Sequence, residues 1–594
     1  MPKIEVNEQV FYSLAGQTWK TRDEFEAALV CAKAELDEDS DKNLPPNERT
    51  LKIELNDTNR PDLWGTAGCA RQIRVYNGGE MPKYDFISRP GDIKKTTYKV
   101  KVEASVKQVR PFIAGFIARG KKITDPMLRD MIQTQEKLAW NYGRKRRSIS
   151  MGIYRVSLIK WPIVYKGADP DAVSFVPLAA DNLPLRSMTL REILKQHPKG
   201  KEFAFIQEHE PIHPLLTDSE GTILSYPPII NSNDLGAVQV GDSEIFVEFT
   251  GTDMPSLTLA TSIVACDFAD NGFQIEPVEI NYEFDTPFGN KIVTPYYFQE
   301  PVFCSLARIE KFLGEKLNEN DCIKALTRMG VKAEAVTDFE RGNENTADVK
   351  GGTPGGTPGV RIYPPEYRND FLHAADIVED VMIGRSLGSF KPERPADSTV
   401  GRLLPITLFS RQVKEHLIGL GYQEMIYNYL GSRKDLVDNM RNSGNARIIR
   451  IFNPMTENYE YVRDSILASL MTSESISGRS AYPHKIFEVG KVAWLDESEN
   501  NKSLTRQFAG FLHAGTDANF NTAAAELQAL FYYLAREYDV QESSDPRFIP
   551  GRAAAIIYNG KPIGVFGEIH PEVLENWKVT VPCIGGEIDL DTLL

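Results

Sequence analysis

The chain reads as a multidomain α+β protein, on three observations. Its 594 residues, 42% of them hydrophobic, exceed what one core organises and predict about four domains. Strand-forming runs broken by Gly and Pro turns crowd into one long stretch. The last third alternates helices with strands, for which a sheet with helices on one side is the economical architecture.

Residues 1–90 form a mixed α/β module, with a helix around Asp23–Leu36 and another after Asn59-Arg60-Pro61-Asp62-Leu63. Residues 91–290 are β-rich, with runs such as Phe112–Ala118 and Ser243–Phe249. A helix expected from Met127 to Tyr142 closes on the basic run Arg144-Lys145-Arg146-Arg147, which reads either as a solvated helix end or as ground for a phosphate backbone. Residues 295–390 give two helices (Ser305–Phe312, Asn320–Met329) and two strands (Val331–Val336, Gly359–Tyr363), the arrangement of a small winged-helix module. The Gly-Gly-Thr-Pro tandem of Gly351–Pro358 lies between those strands. It lacks a P-loop lysine and reads as a hairpin tip. Residues 395–594 carry a helix over Leu408–Gly419 and strands over Ala446–Phe452, Lys485–Val489 and Ala553–Tyr558.

Composition narrows the function. Six scattered cysteines without a Cys-x-x-Cys pair argue against a zinc site and a disulfide framework, and fit a reducing cytoplasm. The first residues carry no basic-then-apolar signal, and no run approaches the roughly 18 apolar residues of a membrane span, so neither secretion nor membrane insertion is expected. A net charge of −14 disfavours nonspecific coating of nucleic acid but leaves room for local basic ground at Lys94, Lys95, Lys99, Lys101, Lys121 and Lys122.

Chemistry concentrates in Tyr367–Met382. Asp376, Glu379 and Asp380 stand three and four apart and share one helix face, while Asp370 sits at the helix start or in the loop before it. Four hard oxygen donors in that spacing suit Mg²⁺. The plainer reading is an acidic face near a helix N-terminus, where the macrodipole favours each carboxylate by roughly 0.3–1 kcal/mol.

The order of motifs resembles the beta subunit of phenylalanyl-tRNA synthetase, in the shorter archaeal and eukaryotic cytosolic arrangement, over nearly the whole chain. Asn56–Leu63 is similar to the family's N-terminal signature. Pro227–Asn233 and Glu248–Asp253 resemble its editing core, and Tyr367–Val381 its metal-bearing helix. Gly421–Glu424, Asn453–Met455, Arg463–Ser465 and Gly567–Glu572 resemble its C-terminal module. The resemblance implies an N-terminal module (1–90), an editing domain (91–290), a winged-helix-like module with the metal helix (295–390) and a class II synthetase-like antiparallel sheet with helices (395–594). It implies an α₂β₂ ligase, cytoplasmic, that joins phenylalanine to tRNA(Phe) with ATP, the ATP bound mainly by the alpha subunit.

It further implies Mg²⁺ at Asp370, Asp376, Glu379 and Asp380. The C-terminal module lacks a Gly-rich segment ending in an ATP-binding arginine and is expected to be catalytically silent, with Arg463 in a structural salt bridge or an interface. Editing follows from a physical limit: an apolar phenylalanine pocket cannot strongly reject an isostere that adds only a hydroxyl, and tyrosine is that isostere. A second site can demand the phenol. Glu248, Thr250, Thr252 and Asp253 are the expected polar partners, and Asn231, Ser232 and Asn233 are expected to orient the ester or a water. Taken alone, these segments read as a turn and as a solvent-facing strand side.

One departure stands out: Gly152-Ile153-Tyr154-Arg155 occupies the place where many relatives have Gly-x-His-Asp, so no general-base histidine is available, and His213 reads as a loop residue. The end after Asp589–Leu594 leaves no expectation of the anticodon-binding domain of longer bacterial relatives, nor of their inserted oligonucleotide-binding domain. Rival readings are a non-enzymatic RNA-binding scaffold, a stand-alone tRNA-editing protein and a metal-dependent phosphohydrolase or nuclease. The last fits poorly, because three of its four carboxylates ride one helix beside only His373.

Overall fold

The computed structural model describes residues 2–92, 94–180, 183–236, 238–336 and 358–594. The tandem repeat expected as a hairpin tip falls, except for Pro358, outside the described residues. The chain packs into two units, Met1–Glu393 and Arg394–Leu594.

The first unit opens with a three-stranded antiparallel sheet in the order Lys3–Asn7, Thr50–Leu55, Ala34–Glu38. The helix expected over Asp23–Leu36 is shorter, Arg22–Leu29. Ala34 and Leu36 are buried while Glu35 and Asp37 are exposed, a period of two that belongs to a strand. Lys33, at φ 51°, turns the chain between helix and strand. The helix Thr66–Tyr76 follows, buried along most of its length.

The β-rich stretch is one ten-stranded sheet. Along its path run Ile230–Asn231, Ile223–Tyr226, His213–Thr217, Ile163–Ala168, Lys99–Val102, Gln274–Tyr282, Phe112–Arg119, Glu244–Gly251 and Ile149–Arg155, with Lys291–Thr294 added beside Gln274–Tyr282. His213 lies in a strand and not in a loop; its ring stacks on Tyr226, whose hydroxyl meets Nδ1 at 2.6 Å. Glu244–Gly251 sits between two partners, with Glu248 opposite Gly115 on one side and Gly152 on the other. Ile245, Val247 and Phe249 share a core with Leu257, Ala260 and Val264 of the helix Met254–Asp270. Phe246 belongs to a second core on the opposite face, the face that alternation also assigns to Glu248 and Thr250.

The helix expected from Met127 to Tyr142 runs as Asp125–Lys137 and then widens into a π turn, Leu138–Tyr142. The third segment pairs Val302–Ser305, Gly359–Tyr363 and Lys332–Val336 antiparallel, in that order. The helices Leu306–Leu313, Glu319–Arg328 and Ala374–Arg385 pack with it. Gly384 is required where the last two helices cross, since a Cβ there would overlap the Ala325 carbonyl.

The second unit is a seven-stranded sheet, antiparallel except where the short Gln423–Glu424 strand runs parallel to His484–Leu495. Helices cover both faces, not one. On Ser503–Ala514, Ala509 and Phe511 join the core of the Pro405–Gly419 and Phe520–Tyr533 helices, while Leu512 and Ala514 join that of Leu467–Ile476 and Pro571–Trp577. A strand apolar on both sides must be buried on both sides, and that pattern was readable in the sequence. Ala446–Phe452 is not a strand; it contributes one isolated bridge, Arg450 to Tyr461. Among the described residues no helix is long and apolar enough to cross a membrane.

Candidate functional site

Two buried polar clusters in the first unit hold most of the expected site residues. Around Glu248 the β-strand alternation turns a carboxylate inward, so that it is 3% exposed, not on a solvent-facing strand side. Its Oε1 accepts the Tyr154 hydroxyl at 3.0 Å, and its Oε2 has no hydrogen-bond partner. The same phenol lies 3.3 Å from Asn231 Oδ1. Asn231 and Tyr154 stand on the two terminal strands of the sheet path, so this contact brings the sheet's edges together. Burial raises the Glu248 carboxyl to about 7, against the Tyr154 hydrogen bond and the Arg110 charge, which pull it down. Burial, and then the Glu248 charge, hold the Tyr154 phenol well above its ordinary value.

Two residues further along the strand, Thr250 is fully buried on Arg110. Arg110 donates from Nε to Thr250 Oγ1 at 2.9 Å, and through Nη2 to the Thr250 carbonyl at 2.6 Å and Ser150 Oγ at 3.1 Å. Its Nη1 donates to the Arg146 and Arg147 carbonyls at 3.1 and 3.0 Å. Burial among these neutral acceptors lowers the guanidinium to about 10. Arg144, Lys145 and Arg146 all have positive φ, so the basic run is a tight left-handed turn and not a frayed helix end. Arg146 anchors it by donating to the carbonyls of Pro228 and Ile229, both at 3.1 Å.

The structure therefore brings together Glu248, Thr250 and Asn231 of the expected set. It adds Tyr154, Arg110 and Ser150, and buries Ser225 beside the Tyr154 phenol. Ser232 is turned into a local turn, its Oγ accepting from Leu235 N at 3.3 Å, and the Asn233 amide donates to the Val176 carbonyl. Thr252 and Asp253 are exposed beyond the strand end, where Asp253 caps the Met254–Asp270 helix by accepting from Ser256 N at 2.9 Å. Those two residues line a cleft of about 1,020 Å³ together with Lys137, Trp140, Arg144 and Lys145. Lys145 lies 5.2 Å over the Trp140 ring there. Nothing local in the sequence marks Arg110; only its placement at the mouth of an apolar strand hinted at burial.

The second cluster holds the four carboxylates expected to bind Mg²⁺. Arg368, 2% exposed, grips Asp370 with Nε at 3.0 Å and Nη2 at 2.7 Å, and takes Asp380 Oδ2 with Nη1 at 2.7 Å. Behind it, Arg60 binds Asp62 through two bonds of 2.8 Å and Gln72 at 3.1 Å. Arg60 also comes within 4.0 Å of Asp370. Burial alone would raise the Asp370 carboxyl, but the Arg368 charge and hydrogen bonds outweigh it and hold the group far below its ordinary value. Asp376 closes a capping box, accepting from Leu372 N at 2.9 Å and His373 N at 2.7 Å. Glu379 meets Lys33 at 2.8 Å.

Within the chain each carboxylate has an arginine, a lysine or a helix start as partner, and among the described residues no group of three or more Asp, Glu, His or Cys is arranged to hold a metal. The counter-charges the chain itself supplies are Arg368 and Lys33. Mg²⁺ at Asp370, Asp376, Glu379 and Asp380 stays what the family resemblance implies. In the second unit Arg463 is likewise an internal partner, paired to Glu488 at 2.7 and 2.9 Å.

Two outcomes follow. Arg368→Met should strand two buried carboxylates and cost about 3–5 kcal/mol in urea unfolding, far more than a surface arginine. Glu248→Gln should flatten a pH dependence. The unfolded chain ionises Glu248 near 4.5 and the folded chain near 7, so the native state holds the extra proton in that window and stability falls as pH rises through it. Unfolding curves should show the wild type losing on the order of 3 kcal/mol relative to Glu248→Gln between pH 4.5 and 8.

Residues 392–590 match the family model of the phenylalanyl tRNA synthetase beta chain CLM domain, and residues 302–385 that of the tRNA synthetase B5 domain. A curated phenylalanine–tRNA ligase beta subunit of Borrelia garinii subsp. bavariensis is 44% identical, with all of each chain covered. That of Treponema pallidum is 42% identical, again end to end. The crystal structure of an N-terminal fragment of the phenylalanyl-tRNA synthetase beta subunit from Pyrococcus horikoshii is 33% identical, with a TM-score of 0.55. It covers 65% of this chain and 99% of that one. The end-to-end relatives are bacterial, so the archaeal and eukaryotic cytosolic qualifier is not supported. Matched over its full length at this identity, the chain belongs to the family of phenylalanine–tRNA ligase beta subunits.

Proposed function

We propose that this chain works with an alpha subunit to attach phenylalanine to tRNA(Phe) at the expense of ATP, and that it clears mischarged tyrosyl-tRNA by hydrolysis at Glu248. The observation that carries the ligase reading is the end-to-end 44% match to a named beta subunit. ATP and Mg²⁺ serve the synthetic reaction, on the alpha subunit, in an α₂β₂ assembly in the cytoplasm. The second unit is a silent class II-like module whose work is to pack against that partner. Ile426, Phe452, Met455 and Ile476 of this unit are almost wholly exposed, apolar side chains of the kind a partner chain covers.

The editing reading is supported by a buried carboxylate near 7 with one oxygen free of any hydrogen bond, set among Asn231, Tyr154 and Thr250. Such a group can accept the hydrogen bond of a phenol near neutral pH. The basic, Trp140-bearing cleft beyond Thr250 offers a stacking face and phosphate contacts for the tRNA end.

Co-expressed with its alpha subunit, the chain should support phenylalanine-dependent ATP–pyrophosphate exchange that neither subunit gives alone, and an inactive pair would refute the ligase reading. Tyrosyl-tRNA deacylation by the assembled enzyme should drop about 10- to 100-fold in Glu248→Ala, the worth of one lost hydrogen bond to a charged acceptor. Equal rates would remove Glu248 from the site.

A further inference from the structure

Where a tyrosyl phenol would meet Glu248, a phenol is already bound, and it belongs to the chain. Tyr154 is fully buried, its ring stacked on Phe246 with centroids 5.9 Å apart. Phe246 in turn meets the edge of Trp161 at 5.3 Å. The hydroxyl has one proton and two acceptors in reach, Glu248 Oε1 at 3.0 Å and Asn231 Oδ1 at 3.3 Å. Room for this contact is made by Gly152, which stands opposite Glu248 on the neighbouring strand. A Cβ there would collide with Tyr154 Oη and lie 2.7 Å from Glu248 Oε1.

We propose that Tyr154 is a built-in occupant of the phenol seat at Glu248, so that a tyrosyl group reaches the carboxylate only when Tyr154 swings out. The proposal rests on the editing reading of Glu248. Three features favour it. The hydrogen bond Tyr154 makes is the one a substrate phenol would make, so the two compete for one carboxylate. Tyr154 is also the one side-chain donor that reaches Glu248 among the described residues, the second oxygen being buried without a partner. Of the three side chains only Asn231 is partly exposed, and it rides a two-residue edge strand, so the way in from solvent passes it. Withdrawal of Tyr154 then sets the pace of editing.

The test uses p-cresol as a probe of the seat and toluene as its control, with binding read by NMR on the full chain. Wild type should bind neither. Tyr154→Ala should bind p-cresol about tenfold more tightly than toluene, the worth of roughly one hydrogen bond, and Tyr154→Ala/Glu248→Ala should lose that preference. In the assembled enzyme, Tyr154→Ala should deacylate tyrosyl-tRNA at least about tenfold faster than wild type, by the same measure. Saturable p-cresol binding to the wild type, no preference over toluene in Tyr154→Ala, or Glu248-dependent deacylation that Tyr154→Ala leaves unchanged would each overturn the proposal. Phenol-selective binding in Tyr154→Ala with no Glu248-dependent deacylation in either protein would keep Tyr154 as the occupant and remove the editing reading instead. Should the alanine variant fail to fold, Tyr154→Leu keeps apolar bulk on Phe246 and clears the outer ring. The same comparison then applies with phenol against benzene.

Discussion

The grip of Arg368 on Asp370 and Asp380 is the contact on which the first unit depends. It joins the loop before the Ala374–Arg385 helix to the helix itself, and Arg60 and Asp62, next to it, extend the pairing to the N-terminal module. Two guanidinium groups and three carboxylates are withdrawn from water together. Such a group is costly to desolvate and tolerable only when nearly every donor and acceptor is paired, so the surrounding backbone must hold its positions closely. Lys33, bridging Glu379 and Asp57 at 2.8 and 2.5 Å, repeats the link at the rim. The acidic helix is thus a joint between modules whose cations are side chains.

The Glu248 cluster follows the same logic with a different outcome. Arg110 satisfies its donors on neutral oxygens, so the nearby carboxylate gets charge but no direct partner from it. Glu248 is left with one phenol and one vacant oxygen, and its proton is poised near neutrality as a result. The two clusters differ in how completely their carboxylates are answered.

Much of this was legible in the sequence. β-forming runs bounded by Gly and Pro turns announced the strands around Phe112 and Glu248, and the spacing of Asp376, Glu379 and Asp380 announced one helix. What could not be read was the partner of each charge. Arg368 and Arg60 are some 300 residues apart, and nothing local says that both point into one cluster; spacing counted the oxygen donors but not the guanidinium groups between them. Glu248 and Thr250 were placed correctly on one strand face, yet whether that face met water depended on a sheet curling until Tyr154 reaches Asn231. Ser232, Thr252 and Asp253 looked equivalent to their neighbours by type, and only backbone geometry sent them to a turn, a cleft and a helix cap. Tyr154 was visible as a departure without a role until its hydroxyl was seen on Glu248.

The account's central claim, that the acidic cluster is held by arginine and lysine, is tested most directly by thermal unfolding of the isolated chain before and after exhaustive chelation. The account predicts the same midpoint with chelator, with added Mg²⁺ and without either. A midpoint that falls on chelation, returns with Mg²⁺ and loses that response in Asp376→Ala would contradict it.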